Sequence, residues 1–364
     1  VYGAEFGQGI VKPFIRGLGF SRVVTIYQGN KLENHQWGAD HGLGINDLGI
    51  KSVDVIKGPA SVLYGSGALG GVLLAKDEDA YTTSEKITGS LGSTYNSVSR
   101  GIRTYASAGK SWENDLFFNA DLALENHADY QDGNNQIIGN SRFNTKTLRL
   151  QSGIKKENFQ NKLGFSFNDQ QLGIISDEEM LPGQSLATGR NDREMQLPFQ
   201  KVRDYLFTYN QEMQHEGFES FLHLSHHHNN RKEIESDENL IDLGLKQDHS
   251  FYNARLGFQG EVLKHDFGVQ GSFIRTRNFE NSLDFLIPDA NVFESGLYYL
   301  LSAQLNSWFL QGALRYDFRT VKALADASHF VDYGFLLPGE PENRRLERNF
   351  SGFTGSIAQV FEDR

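Results

Sequence analysis

Three side chains that can bind a metal stand close together in the run NHQWGADHG: His35, Asp40 and His41. Imidazole nitrogen and carboxylate oxygen suit zinc, copper or iron. Gln36 and Trp37 lie between them, and the indole could stack on a ring or on the face of a chelate. The same residues could instead hold the turns of their own loop. A second imidazole-rich run, HLSHHHNN, puts His223 and His227 on one side of a strand and His226 on the other. At 3.3 Å per residue, His223 and His227 stand about 13 Å apart and cannot share one metal ion. His227 could join a site with a residue of another segment, or decorate a rim. His127 and His329 are expected in loops at that same end, and His215 and His265 in short turns at the opposite end.

Residue types for covalent chemistry are not arranged to perform it. No Gly-x-Ser-x-Gly elbow joins a strand to a helix, and no HExxH run occurs. Glu178–Glu179 and Asp237–Glu238 read as solvated loop charge. The absence of cysteine excludes a disulfide scaffold, a thiolate metal site and a cysteine nucleophile. Gly65, Gly67 and Gly70 have the spacing of a dinucleotide-binding loop. Such a loop follows a strand directly and opens an amphipathic helix. Here Gly58-Pro59 interrupts the chain first, and GGVLLAKDED is too short and too charged to continue as that helix. Tight turns that need positive φ account for these glycines. No catalytic set is legible in these residues.

The elements that position these residues are strands. Of 364 residues, 27 are Phe, 14 Tyr and 38 Gly, while only 7 are Pro. So many aromatics argue against disorder. The net charge of -11 argues against nucleic acid as a partner. No run approaches the 18 or so apolar residues of a membrane-spanning helix, but a membrane barrel stays open, because its alternating strands average out as polar.

Beyond about residue 80 the sequence alternates at period two. In DLFFNADLALE, Leu116, Phe118, Ala120, Leu122 and Leu124 point one way, and Phe117, Asn119, Asp121, Ala123 and Glu125 the other. Leu163, Phe165 and Phe167 oppose Lys162, Gly164, Ser166 and Asn168, and Leu310, Leu314 and Phe318 oppose Gln311, Arg315 and Arg319. About twelve strands are predicted, near 84–95, 97–109, 113–125, 141–154, 159–172, 199–212, 217–229, 247–260, 264–277, 295–307, 308–320 and 347–361. A soluble sandwich alternates too. Connection lengths favour the barrel: KKEN, MQHE and EVL are short, and they alternate with long polar stretches such as GIISDEEMLPGQSLATGRNDREMQLP and NRKEIESDENLIDLGLK.

Two further runs carry a family resemblance. VDVIKGPASVLYGSGALGG and, upstream, KPFIRGLGFSRVVTIYQGNKLENHQWGADHG resemble the plug of TonB-dependent outer-membrane receptors. The matching plug positions are Arg16, Gly17, Gly58, Pro59, Tyr64, Gly65, Gly70 and Gly71. NNRKE and LQGALRYDFR resemble the barrel of the family more loosely, and SVD and GGVLLA are mild departures from its plug. The resemblance implies an all-β fold: a transmembrane antiparallel β-barrel, about 12 of about 22 strands present, behind an N-terminal mixed α/β plug. Residues 1–80 would be the C-terminal part of the plug and 84–364 the N-terminal half of the barrel. Both ends look like cuts inside a longer protein, without the TonB box or the remaining strands.

Function follows from the same resemblance, as an expectation: a receptor that does no covalent chemistry, not an enzyme, with no intrinsic cofactor. The receptor would take up a scarce nutrient, iron or another transition metal as ion or chelate, including a siderophore or heme. Its ligand contacts would be His35, Gln36, Trp37, Asp40, His41 and His227, with His35, Asp40 and His41 as metal ligands. Its partners would be TonB, outer-membrane lipid and the small-molecule or metal cargo. It would be a monomer in the outer membrane of a Gram-negative bacterium. Carbohydrate, peptide or cobalamin cargo is the alternative within transport, although a carbohydrate receptor would line its lumen with more than three Trp. A soluble all-β binding module is the alternative outside transport; an adhesin barrel would not need a plug.

Overall fold

The structure is a computed structural model. It describes the chain except residues 6–10, 34–45, 66, 82–85, 176–190, 285–286, 327–342 and 362–364. Three sheets account for it. The first is an antiparallel meander of β1 (Tyr2–Glu5), β2 (Val11–Ile15) and β3 (Leu18–Gly19). The second contains β4 (Val23–Tyr27), β5 (Asn30–Lys31), β6 (Ile50–Ile56) and β7 (Gly71–Asp77), in the order β5-β4-β7-β6. Strands β4 and β7 are parallel, and the other pairs are antiparallel. RVVTIYQG forms β4 because its β-branched run can be buried on both faces, and all five residues are buried. The helical content of this region, among the described residues, is two 3-10 segments, Phe20–Arg22 and Pro59–Tyr64.

The glycines of the first two sheets do backbone work. Arg16 and Gly17 both take positive φ, 53° and 79°, in the turn between β2 and β3. Gly58 (φ 75°) leads into Pro59–Tyr64, and Gly65 (φ 112°) ends it. A Cβ on Gly71 would lie 2.8 Å from the Ile56 carbonyl oxygen. The Gly65–Gly71 stretch therefore closes a strand connection and leaves no helix N-terminus to hold a phosphate.

The third sheet holds twelve long strands in sequence order: β8 (Thr88–Asn96), β9 (Gly101–Ser111), β10 (Leu116–His127), β11 (Phe143–Lys156), β12 (Phe159–Gly173), β13 (Phe199–His215), β14 (Phe218–Ile234), β15 (Ile241–Gln259), β16 (Leu263–Asn278), β18 (Asp289–Leu305), β19 (Trp308–Asp326) and β20 (Asn343–Phe361). Between β16 and β18, the short β17 (Ser282–Asp284) pairs parallel with β15. Every long strand coincides with a segment that the alternation predicted. The strands run further at the loop end: NRKEIESDENLIDLGLK is mostly β14 and β15, leaving 235–240 as the connection. His127 closes β10 instead of lying in a loop, and His265 lies within β16.

Alternation sorts the two faces as a membrane barrel requires. Leu314 is 63 % exposed while its neighbour Arg315 is 5 % exposed. Phe207, Leu224, Phe273 and Leu297 also face outward, while Asp204, Thr208, Ser225, Gln247 and Gln270 are buried on the inner face. Apolar outside and polar inside is the inverse of a soluble protein. The strand ends joined through 157–158, 216–217, 260–262 and 306–307 lie at one end of the sheet, and those that flank 128–142, 174–198, 235–240, 279–288 and 327–342 at the other.

Candidate functional site

The second sheet sits against the polar inner face, and buried polar contacts hold it there. The turn after β4 places Gln28 and Gly29, both at positive φ, against β12 and β14. Ser166 Oγ donates to Gln28 Oε1 at 2.7 Å, and Ser225 Oγ donates to Asn30 Oδ1 at 2.8 Å. Lys31 Nζ lies 2.6 Å from Glu33 Oε1 and donates to Glu294 Oε1 of β18 at 3.1 Å. Ser272 Oγ also donates to Glu294 Oε1, at 2.8 Å. Burial alone would lower the Lys31 pKa, but the carboxylates of Glu33 and Glu294 outweigh it and hold the ammonium above its ordinary value. Burial pushes the Tyr27 phenol up to about 12, so it stays protonated.

A second set of contacts holds the chain on the far side of residues 34–45. Arg149 of β11 is 2 % exposed. Its Nη1 donates to the Gly49 carbonyl at 2.6 Å, and its Nη2 pairs with Asp77 Oδ2 at 2.7 Å. Arg103 of β9 donates to both carboxylate oxygens of Asp47. Lower on the wall, Val62 packs with Tyr298, Leu300 and Ala313, and Arg315 Nη1 donates to the Val62 carbonyl at 3.2 Å. Between the β6–β7 sheet and the wall lies a cavity of about 780 Å³, which reaches Tyr64, Lys76, Lys162, His223, Phe251 and Tyr298.

His35, Gln36, Trp37, Asp40 and His41 lie outside the described residues, as do Glu178, Glu179 and His329. Their two stems are described: Glu33 is tied to β18 through Lys31, and Asp47–Gly49 to β9 and β11. His227 is described, and it is no exposed rim residue. It points inward, is buried, and its Nε2–H donates to Asp204 Oδ1 at 2.7 Å, an oxygen that also accepts from Asn229 Nδ2. His223 is buried too. Its Nδ1–H donates to Asn210 Oδ1 at 2.7 Å, and its ring lies against Gly29. His127 bonds Ser99 and Glu125 and stacks on Phe143 at 4.2 Å.

One inward histidine escaped the sequence reading. His249 is the cross-strand partner of His227 on β15 and is 0 % exposed. Among the described residues, neither of its ring nitrogens has a hydrogen-bond partner. It falls in the strand predicted near 247–260, and stepping back in twos from the polar Arg255 and Asn253 would have found it. No group of three or more His, Asp or Glu among the described residues has metal-binding geometry. The described lumen is thus lined by imidazoles, amides and paired charges. It can hydrogen-bond and stack, and it offers no activated nucleophile.

A sheet with an apolar outer face and a polar inner face, filled by a small mixed sheet, is a plugged outer-membrane barrel. Residues 1–72 match the family described as TonB-dependent Receptor Plug Domain, and the chain has the fold of the TonB-dependent receptors of the Gram-negative outer membrane. Heme/hemopexin utilization protein C of Haemophilus influenzae (strain 86-028NP) is 41 % identical over 69 residues, which is 19 % of this chain and 10 % of that protein. The copper transporter OprC matches in structure with a TM-score of 0.74 and 14 % identity, over 100 % of this chain and 57 % of its own. The FrpB iron transporter from Neisseria meningitidis (F5-1 variant) matches with a TM-score of 0.73 and 16 % identity, over 98 % of this chain and 57 % of its own. The chain thus spans little more than half the length of these two transporters, and at such identities the likeness is one of fold.

Proposed function

We propose that the protein containing this chain imports a scarce metal nutrient across the outer membrane, iron or another transition metal as ion or chelate, such as a siderophore or heme. Residues 1–80 serve as plug, and 84–364 as the first half of the barrel. The observation that carries this reading is the plug-family segment lodged in the lumen by buried contacts, Lys31 with Glu294 and Arg149 with the Gly49 carbonyl. Such a lumen passes cargo only when those contacts are released, which is work for a partner such as TonB. Cargo moves without covalent change, so no catalytic set is required. A metal-containing cargo is supported by the copper and iron transporters of the same fold, and heme by the relative named for its use. In this reading His35, Asp40 and His41 contact the metal, Gln36 and Trp37 the rest of the cargo, and His227 meets the cargo from the inner face of β14.

Calorimetric titration of the complete receptor in detergent tests this, with zinc, copper, ferric chelates and heme as separate titrants. The His35→Ala/His41→Ala variant is titrated alongside. One titrant that binds and loses at least tenfold in affinity in the variant supports the reading. A folded receptor that binds none of them overturns the metal cargo and moves the search to organic nutrients.

A further inference from the structure

The outward face carries a charge pattern that nutrient uptake does not use. Register places Lys146, Asp169, Arg203, Asn230, Lys246 and Arg277 side by side across β11, β12, β13, β14, β15 and β16. One step toward the loop end, Lys201 and Lys232 are register partners. These two rows therefore contain six basic side chains and one carboxylate, in a chain of net charge -11. Lys146, Lys201, Arg203 and Lys246 are exposed, while the residues beside them in sequence, such as Thr147, Val202 and Gln247, are buried on the inner face.

What lies beneath the rows fixes their depth. Two residues nearer the short-turn end, the row reads Leu148, Phe167, Tyr205, His228, Asp248, Arg275. Two further on come Leu150, Phe165, Phe207, His226, Ser250 and Phe273, with Phe165 and Phe207 in contact at 4.9 Å between ring centres. The face therefore grades from aliphatic and aromatic groups into bases, over about 13 Å along the strands. That is the order met on leaving the hydrocarbon of a bilayer for its headgroups. The bases lie at the long-loop end, which in this fold is the outer leaflet. Across five strand spacings of about 4.8 Å each, the row is about 24 Å wide, more than one lipid headgroup.

The positive sign is only partly cancelled. Arg203 Nε pairs with Asp169 at 3.0 Å, and Arg277 Nε lies 3.7 Å from Asp289. Lys232 and Lys246 both lie over the Phe279 ring, at 5.0 and 4.3 Å from its centre. A cation held over a ring keeps its charge available to an anion beyond it. Arginine and lysine side by side suit phosphate oxygens, the arginine by its fork and the lysine as a point charge.

We propose that this row is a binding site for a phosphorylated glycolipid of the outer leaflet. Its acyl chains lie on the Phe165–Phe207–Phe273 face, and its phosphates meet Lys146, Arg203 and Lys246. The site does not depend on what the receptor imports.

Native mass spectrometry of the complete receptor, released from mild detergent with added lipid, tests it. The probes are bis-phosphorylated lipid A, the same lipid with its phosphates removed, phosphatidylethanolamine, and inorganic phosphate. Lipid A is expected to bind at least tenfold more tightly than its dephosphorylated form, and the difference to shrink as salt rises. The Lys146→Gln/Arg203→Gln/Lys246→Gln variant is expected to lose that preference. It should keep the heat-modifiable migration of a folded barrel and its cargo affinity. Equal binding of the two lipid A forms, or an undiminished preference in the folded variant, overturns the proposal. Inorganic phosphate that displaces the lipid at equal concentration overturns it as well, by making the site one for free anion.

Discussion

Lys31 and Glu294 meet at 3.1 Å although 263 residues separate them in the chain. One belongs to the plug and the other to the barrel wall, and both are largely buried. Removing the Glu294 charge leaves Lys31 to Glu33 alone, at a cost below the about 3–5 kcal/mol of a buried charge with no partner. Glu294→Gln should therefore loosen the plug without unfolding the barrel. Hydrogen exchange at residues 23–33 should quicken, while exchange in β12–β16 stays unchanged. Equal protection in both forms would remove the pair from the forces that seat the plug.

Lys31 also sets a pH dependence. Its pKa is raised in the folded state, so its stabilisation is fully present below the ordinary lysine value of 10.5 and is lost as pH rises through the higher folded value. Exchange protection of the β4–β5 segment should be flat from about pH 6 to about pH 9, once the intrinsic rate is corrected, and fall only in strong alkali. A fall near neutrality would point to another group.

Arg149 joins three separate plug acceptors, the Leu48 and Gly49 carbonyls and the Asp77 carboxylate. Arg149→Met keeps the bulk and removes every donor. Protease cleavage between residues 46 and 49 should rise at least tenfold, with the β11 register intact by circular dichroism and heat-modifiability. Arg149→Lys should restore only part, because one ammonium cannot span the three acceptors.

Gly29 combines a φ of +82° with a Cβ position 2.5 Å from the His223 ring. Gly29→Ala should lower plug stability by about 1–3 kcal/mol, from strain and contact together. Adding His223→Ala removes the contact and leaves the φ, so a double-mutant cycle in denaturant should recover part of the loss. Full recovery would mean that the backbone at Gly29 is unstrained.

Arg142 is 0 % exposed and is held by Asp129 at 2.6 and 3.0 Å and by Asp192 at 3.2 Å. These contacts tie two of the long connections together. Arg142→Gln should open the 128–142 connection to chymotrypsin at Tyr130 without changing the strands, read as a cleavage rate at least tenfold higher.

The barrel was legible in sequence because lipid on one side and a wet lumen on the other impose a strict period of two. Leu314 beside Arg315 shows it at a single step. Strand ends were less legible: Asn230–Ile234 and Ile241–Lys246 are polar and charged, and they extend β14 and β15 past the apolar band, where alternation loses contrast. The plug strands β4, β6 and β7 were visible as short β-branched runs bounded by glycine. The meander β1–β3 was not, since VKPFI and LG carry no alternation long enough to read. The contacts of the site were the least legible. Lys31 with Glu294, or Ser225 with Asn30, join distant segments, and no local pattern encodes which wall residue meets which plug residue.

The two plug sheets differ in how they would answer a mechanical load. A pull on the N-terminal side of Val1 acts on β1, whose Tyr2 pairs with Phe14, next to the point where β2 continues into the chain. Both ends of that ladder's load path lie together, so its pairs are loaded one after another and peel at low force. The pull then reaches Val23, at the start of β4, while β7 is tethered beyond Ala75, at the opposite end of the same parallel ladder. Its five pairs, Val23–Gly71 to Tyr27–Ala75, are loaded together and must slide at once. Single-molecule extension should therefore record a low plateau before one abrupt yield. Under such a load the meander would act as slack, and the parallel pair would set the yield force.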